Sequence, residues 1–241
     1  MTFQSNQGGA GQPVNPSTIA YGQRTDAAVQ GAFLTQAFFW MFAGLMVTAA
    51  VAAFAQFNDT LLNFAADNFL ILIIAQLGLA IGIQWGIRRI SATLALGLFF
   101  VYAASLGITI GLIVSLYTGE SVATAFLSAG AMFGGAALYG YTTKRSLATI
   151  GGYAYMAILG LFVAIIVNWF LGSSLLGYVI SVIGVILFTI LTAWDVQRIS
   201  SGQLVAALGS VEKAAVIGAL HLYLDFVNLF LFLLRIMGGR R

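Results

Sequence analysis

With 241 residues, 61% of them hydrophobic and only 7% charged, the chain lacks the polar groups to cover a soluble surface, where roughly 25% of residues are charged. Its net charge of +3 comes without a run of basic residues, which excludes a nucleic-acid patch, and the absence of Cys excludes disulfides, zinc–cysteine sites and thiol catalysis. A single His, His221, excludes a metal site built on two imidazoles.

The N-terminal stretch is rich in Gly, Gln, Asn and Ser, holds both prolines (Pro13 and Pro16) and has no signal-peptide pattern. It reads as a disordered cytoplasmic tail over residues 1–26, followed by a transmembrane domain over residues 27–241. From Ala27 to Phe57 no charged residue appears, longer than the roughly 20 apolar residues a crossing needs. Charges and turn residues then divide the chain into seven spans: Gly31–Phe54, Phe69–Gly86, Thr93–Tyr117, Val122–Tyr141, Gly151–Leu171, Leu176–Asp195 and Val216–Met237. The first two are joined by a loop through Asn58, Asp59 and Asp67, and the last two by a polar linker over Val196–Lys213.

These features define an all-α polytopic membrane protein with seven transmembrane helices. Arg24, Arg88, Arg89, Lys144, Arg145, Arg198 and Lys213 fall on one side of the seven-span arrangement, whereas the alternate loops carry Asp59, Asp67 and Glu120. Basic loops stay in the cytoplasm, so the N-terminus is expected there. Arg240 and Arg241 run against this rule, because an odd number of spans puts them outside; charge alone would turn the last segment back. Glycines spaced by four (Gly78, Gly82 and Gly86; Gly107 and Gly111; Gly130 and Gly134) suit close helix packing in lipid, with a dimerisation face as the alternative.

Ionisable groups inside a bilayer are expensive, roughly 2.5–3.5 kcal/mol for Asp at a helix centre. Asp225 lies well inside the seventh span and Asp195 in the last turn of the sixth. On a helical wheel His221, Asp225, Asn228, Phe232 and Arg235 fall within about 80° of one another, a polar stripe that must face protein or water. On the sixth span Gly177, Ser181, Gly184, Thr192 and Asp195 share a small, polar face suited to receiving it. If the two carboxylates meet, they cannot both ionise easily and tend to share one proton. Releasing that proton pushes the helices apart and leaves two oxygen ligands for a hard cation such as Ca²⁺. The alternatives are a solvated Asp195–Arg198 ion pair at a helix end, and Asp225, Asn228 and His221 as interhelical hydrogen-bond glue. Motifs such as H-E-x-x-H, G-x-S-x-G and the phosphate-binding loop do not occur, so no enzyme and no cofactor are expected.

The segments Thr192-Ala-Trp-Asp-Val-Gln-Arg-Ile199, His221-Leu-Tyr-Leu-Asp-Phe-Val-Asn-Leu-Phe-Leu-Phe-Leu-Leu-Arg-Ile236, Tyr139-Gly-Tyr-Thr-Thr-Lys-Arg-Ser-Leu147 and Asn168-Trp-Phe-Leu-Gly-Ser-Ser174 resemble the Bax inhibitor-1 (transmembrane Bax inhibitor motif) family, in its bacterial YccA-like branch. The resemblance covers nearly all of the chain after the tail. It implies a bacterial inner-membrane protein whose seventh helix is central, acting as a pH-sensitive Ca²⁺ leak channel. Gate and proton sensor would be a carboxylate pair at Asp195 and Asp225, latched by a basic residue matching Arg88 or Arg89. Partners would then be the lipid bilayer, Ca²⁺ and protons. YccA-like relatives imply a second function, a non-conducting regulator that binds a membrane-bound AAA protease through the N-terminal tail. Two positions depart from the family: Ser146 where Asp is common, which removes a possible loop salt bridge, and Trp194 where Tyr is common.

Overall fold

The computed structural model describes the backbone of residues 16–239 and side chains from residue 31 onward. Nine helices occupy these residues, and no β-strand is found among them. They are α1 (Pro16–Ala55), α2 (Asp59–Asp67), α3 (Phe69–Gly86), α4 (Ala92–Ser115), α5 (Gly119–Thr142), α6 (Ala148–Leu171), α7 (Ser174–Ser200), α8 (Gln203–Leu208) and α9 (Val211–Met237). Seven are long and apolar enough to cross a membrane: Gly31–Ala55 within α1, then α3, α4, α5, α6, α7 and α9. The charge-bounded spans and these helices agree one for one. The helix ends carry large apolar side chains on the outer surface, among them Phe57, Trp85, Trp169 and Phe170, as expected of an interfacial belt in a bilayer.

The polar stretches between spans differ from their sequence reading. Asn58 accepts a hydrogen bond from the Leu61 amide at 3.0 Å, and this cap starts a short helix, α2, where a loop was expected. The linker over Val196–Lys213 is mostly helical: α7 continues to Ser200, α8 follows, and Ser210 caps α9 through the Lys213 amide at 3.2 Å. Polar composition there reports helix faces at the membrane surface, not loss of helix. Within the stretch read as tail, α1 already begins at Pro16; the rest of that stretch, residues 1–15, lies outside the described residues. Gly172, at φ 61°, ends α6 in the left-handed conformation, and Ser173 opens α7 through the Leu176 amide at 3.2 Å.

The last helix is the core of the bundle. Buried residues make up 72% of the apolar window of α9, against 50% for α7 and 17% for α3 and α6. It packs on α1, α4, α5, α7 and α8, while α6 leans on α7. Its far end is anchored: the Thr118 amide donates to Gly239 O at 3.2 Å, and the Gly239 amide donates to Ser121 Oγ at 2.9 Å. Those partners belong to the α4–α5 turn that carries Glu120, opposite the face bearing Arg88, Lys144 and Lys213. The last segment therefore crosses fully and does not turn back. Arg240 and Arg241 lie outside the described residues.

Only one of the three glycine series packs as expected. A Cβ at Gly107 would meet Thr48 O and Val51 at 2.8 Å, and one at Gly111 would meet Ala55 at 2.8 Å, so α1 and α4 touch backbone to backbone. At Gly78, Gly82, Gly86, Gly130 and Gly134 a Cβ would meet nothing. Those series face outward and do not bring helices of this bundle together.

Candidate functional site

The polar face of α7 meets the stripe of α9, as the wheel predicted. Gly177, Ser181, Gly184, Thr192 and Asp195 are all buried, and a Cβ at Gly184 would run into the Phe232 ring. The small residues thus let the two antiparallel helices approach. Asp195 is 7% exposed and Asp225 3%, the two carboxylates buried among the described residues.

The axial register sets Asp195 against His221, one turn from Asp225, and no hydrogen bond joins the two carboxylates among the described residues. Asp195 lies five residues before the end of α7 and His221 ten residues after the start of α9, about 7 and about 15 Å of helix. Yet Nδ1 of His221 stands 3.6 Å from Oδ1 of Asp195. About the first turn and a half of α9 therefore projects past the end of α7 before the crossing begins. Asp225, one turn beyond His221 on the same face, sits deeper, and its Oδ2 is buried without a hydrogen-bond partner.

Asp195 also has a cation on its own helix. Nη1 of Arg198 donates to Oδ1 of Asp195 at 3.1 Å, and its guanidinium lies over the Trp194 ring, 4.6 Å from the centroid. The side chain is thus held by an aromatic face and a carboxylate at once. The ion pair read from sequence is present, but its carboxylate is buried and shared with His221.

Arg88 and Arg89 are placed otherwise. Nη2 of Arg88 donates to Ala207 O at 3.4 Å, and Nζ of Lys213 donates to Arg88 O at 3.4 Å. These contacts tie the α3–α4 turn to α8 and the start of α9. Neither arginine bonds to Asp195 or Asp225 among the described residues; the cation on the pair is Arg198. The remaining stripe residues also separate from the carboxylates. Asn228 donates back to Leu224 O at 2.8 Å on its own helix. Arg235, in the last turn of α9, lies over Gly177 beside Asn168, at the opposite end of the bundle.

Gln84 is a participant missed in the sequence. Its amide nitrogen donates to Ala80 O at 3.4 Å, leaving Oε1 facing Nε2 of His221 at 3.3 Å. An uncharged polar side chain within an apolar span was the available signal, and Gln76 gives the same one, donating to Thr109 Oγ1 at 2.8 Å. Around His221 the site thus gathers Gln84 from α3, Asp195 and Arg198 from α7, and Asp225 from α9. No group of three or more His, Asp or Glu side chains disposed to hold a metal ion occurs among the described residues. Two carboxylates supply far fewer than the six to eight oxygens that Ca²⁺ takes.

Seven membrane-spanning helices, the last of them central and carrying the buried Asp225, define a polytopic membrane protein of the Bax inhibitor-1 class. The chain belongs to that family: the family model described as inhibitor of apoptosis-promoting Bax1 matches residues 30–241. It is 41% identical over 229 residues to the inner membrane protein YbhL of Escherichia coli K12, covering 90% of this chain and 98% of that one. An uncharacterised protein of Borreliella burgdorferi is 37% identical over 224 residues (91% and 97% covered). Another from Deinococcus radiodurans is 41% identical over 209 residues (86% and 90%).

Proposed function

We propose that this chain is a proton-regulated leak path for a small hard cation, Ca²⁺ foremost, in a bacterial inner membrane. Asp195 and Asp225 act as its gate and sensor. The observation that carries this is Asp225, a buried carboxylate with an unpartnered oxygen, one turn from an imidazole set against Asp195. A buried ionised carboxylate without a partner is costly, so its charge is tied to proton uptake or to a passing cation. With the pair protonated, α7 and α9 stay together. Loss of protons places like charges between them, loosens the seam and offers oxygens to the ion. The basic face, with the N-terminus, lies in the cytoplasm by the distribution of Lys and Arg.

Reconstitution of the full chain in liposomes loaded with a Ca²⁺ dye tests the proposal. Wild type should leak Ca²⁺ with a strong dependence on pH, and Asp195→Asn and Asp225→Asn should each flatten it. Equal fluxes in wild type and both variants at every pH would sink the gating role.

A further inference from the structure

On the basic face, a cleft of about 470 Å³ opens between the α5–α6 turn, the end of α7 and the start of α8. It is lined by Thr143, Lys144, Ser146, Ser200, Ser201 and Gln203, with Gln197 beside them, and none of its lining residues is acidic. Neither Lys144 nor the adjacent Arg145 has a carboxylate within salt-bridge reach among the described residues. A cation ringed by hydroxyls and amides, with no acid, is a site awaiting an anion.

The cleft is held in shape. Gln197 accepts from the Leu147 amide at 2.8 Å and donates to Arg145 O at 2.8 Å, pinning the turn that carries Lys144 onto α7. Beneath it Gly140 lies directly on the Ala193 carbonyl, where any Cβ would clash, so α5 and α7 form a closed floor.

A second cavity lies next to the cleft on its bilayer side, sharing no lining residue with it. One turn further along α5 and α7 runs a groove of about 300 Å³ lined by Ala136, Tyr139, Leu147, Ile150, Ile190 and Ala193. Its lining is apolar apart from the Tyr139 phenol at the rim and Thr189, whose hydroxyl is already spent on Val185 O at 2.7 Å. Tyr139 and Ile150, at its rim, are exposed on the membrane-facing surface. A polar, cationic cleft at the membrane surface beside an apolar groove, the two meeting at the chain neighbours Ser146 and Leu147, matches the amphipathic shape of a phospholipid lying across both. We infer that this pair of cavities binds an anionic phospholipid, its phosphate headgroup against Lys144 and the hydroxyls and one acyl chain along the α5–α6–α7 groove.

Native mass spectrometry of the full chain in detergent tests this, with phosphatidylglycerol and phosphatidylcholine of identical chains as probes. Phosphatidylglycerol should be retained preferentially. Lys144→Gln should weaken its retention about fivefold, the attraction of one basic residue for an anionic surface. Ser146→Asp, which places a negative charge in the cleft, should weaken it at least as much, and Ile150→Trp should weaken it by filling the groove. Lys144 is at the surface, so Lys144→Gln carries the test if either of the others fails to fold. Equal retention of the two lipids overturns the assignment, as does wild-type retention in Lys144→Gln. Inorganic phosphate that displaces phosphatidylglycerol at equal concentration also overturns it, because the cleft then takes a soluble anion and the groove contributes nothing.

Discussion

Nδ1 of His221 stands 3.6 Å from Oδ1 of Asp195, while its Nε2 meets Oε1 of Gln84 at 3.3 Å, so one imidazole spans α9, α7 and α3. Because Gln84 presents an oxygen, Nε2 is the donor, and Nδ1 turns a lone pair toward a carboxylate until a further proton arrives. In that tautomer two acceptors face each other across the seam between α7 and α9, and a proton placed between them makes the contact attractive. His221→Gln keeps a hydrogen-bonding side chain but cannot take the proton. Its Ca²⁺ flux in liposomes should vary less steeply with pH than that of wild type. An unaltered pH profile would show that the imidazole only fills space.

Arg198, not Arg88 or Arg89, is the cation that Asp195 feels at contact distance. Arg198→Gln withdraws a positive charge from the pair and lets it hold a proton to higher pH. The onset of flux should therefore move to higher pH in Arg198→Gln and stay in place in Arg88→Gln and Arg89→Gln. The same shift in Arg88→Gln or Arg89→Gln would restore the latch to the α3–α4 turn.

Tyr223, fully buried at the centre of α9, meets Thr48 Oγ1 of α1 at 2.6 Å, and Thr48 also reaches Ala103 O of α4 at 2.9 Å. The threonine hydrogen goes to a carbonyl, so the phenol is the donor to Thr48. Tyr223→Phe removes one hydrogen bond and leaves the threonine satisfied, at a cost of about 0.6 kcal/mol. Thr48→Val strands the phenol hydroxyl and should cost more, about 1–3 kcal/mol. Thermal unfolding in detergent should rank the variants in that order; a reversed order would mean the phenol finds another partner.

Gly107 and Gly82 make a matched comparison within one membrane domain. A methyl at Gly107 would press on the Thr48 carbonyl and Val51, whereas a methyl at Gly82 meets open space. Gly107→Ala should lower stability by about 1–3 kcal/mol through overpacking. Gly82→Ala should leave it unchanged or raise it slightly, since Ala is the better helix former. Equal destabilisation by both would show that α3 packs against something in the membrane, another copy being the first suspect.

Composition and charge spacing made the seven crossings legible, because a bilayer tolerates few charges and each charged turn marks an end. The same cue hid α2 and α8: short surface helices need charge and polarity on one face, and a break in hydrophobicity reads as a loop. The polar faces of α7 and α9 were visible from helical periodicity. Their axial offset was not, because it is set by α8 and by the capping of α9 at Ser210. The glycine series show a further limit, since spacing of four says that a helix has a smooth face but not which neighbour, if any, lies on it.

The most buried span is also the last of the seven to leave the ribosome. Until residues 211–237 emerge, the six earlier spans surround no centre. The seams that α1, α4, α5 and α7 present to α9 must then be filled by lipid, by one another or by an insertion factor. Assembly of the seven-helix domain is thus a closing step taken after six spans are already made. A chain stopped short of α9 would be inserted but hollow, which makes the 27 residues of α9 a natural checkpoint for membrane quality control.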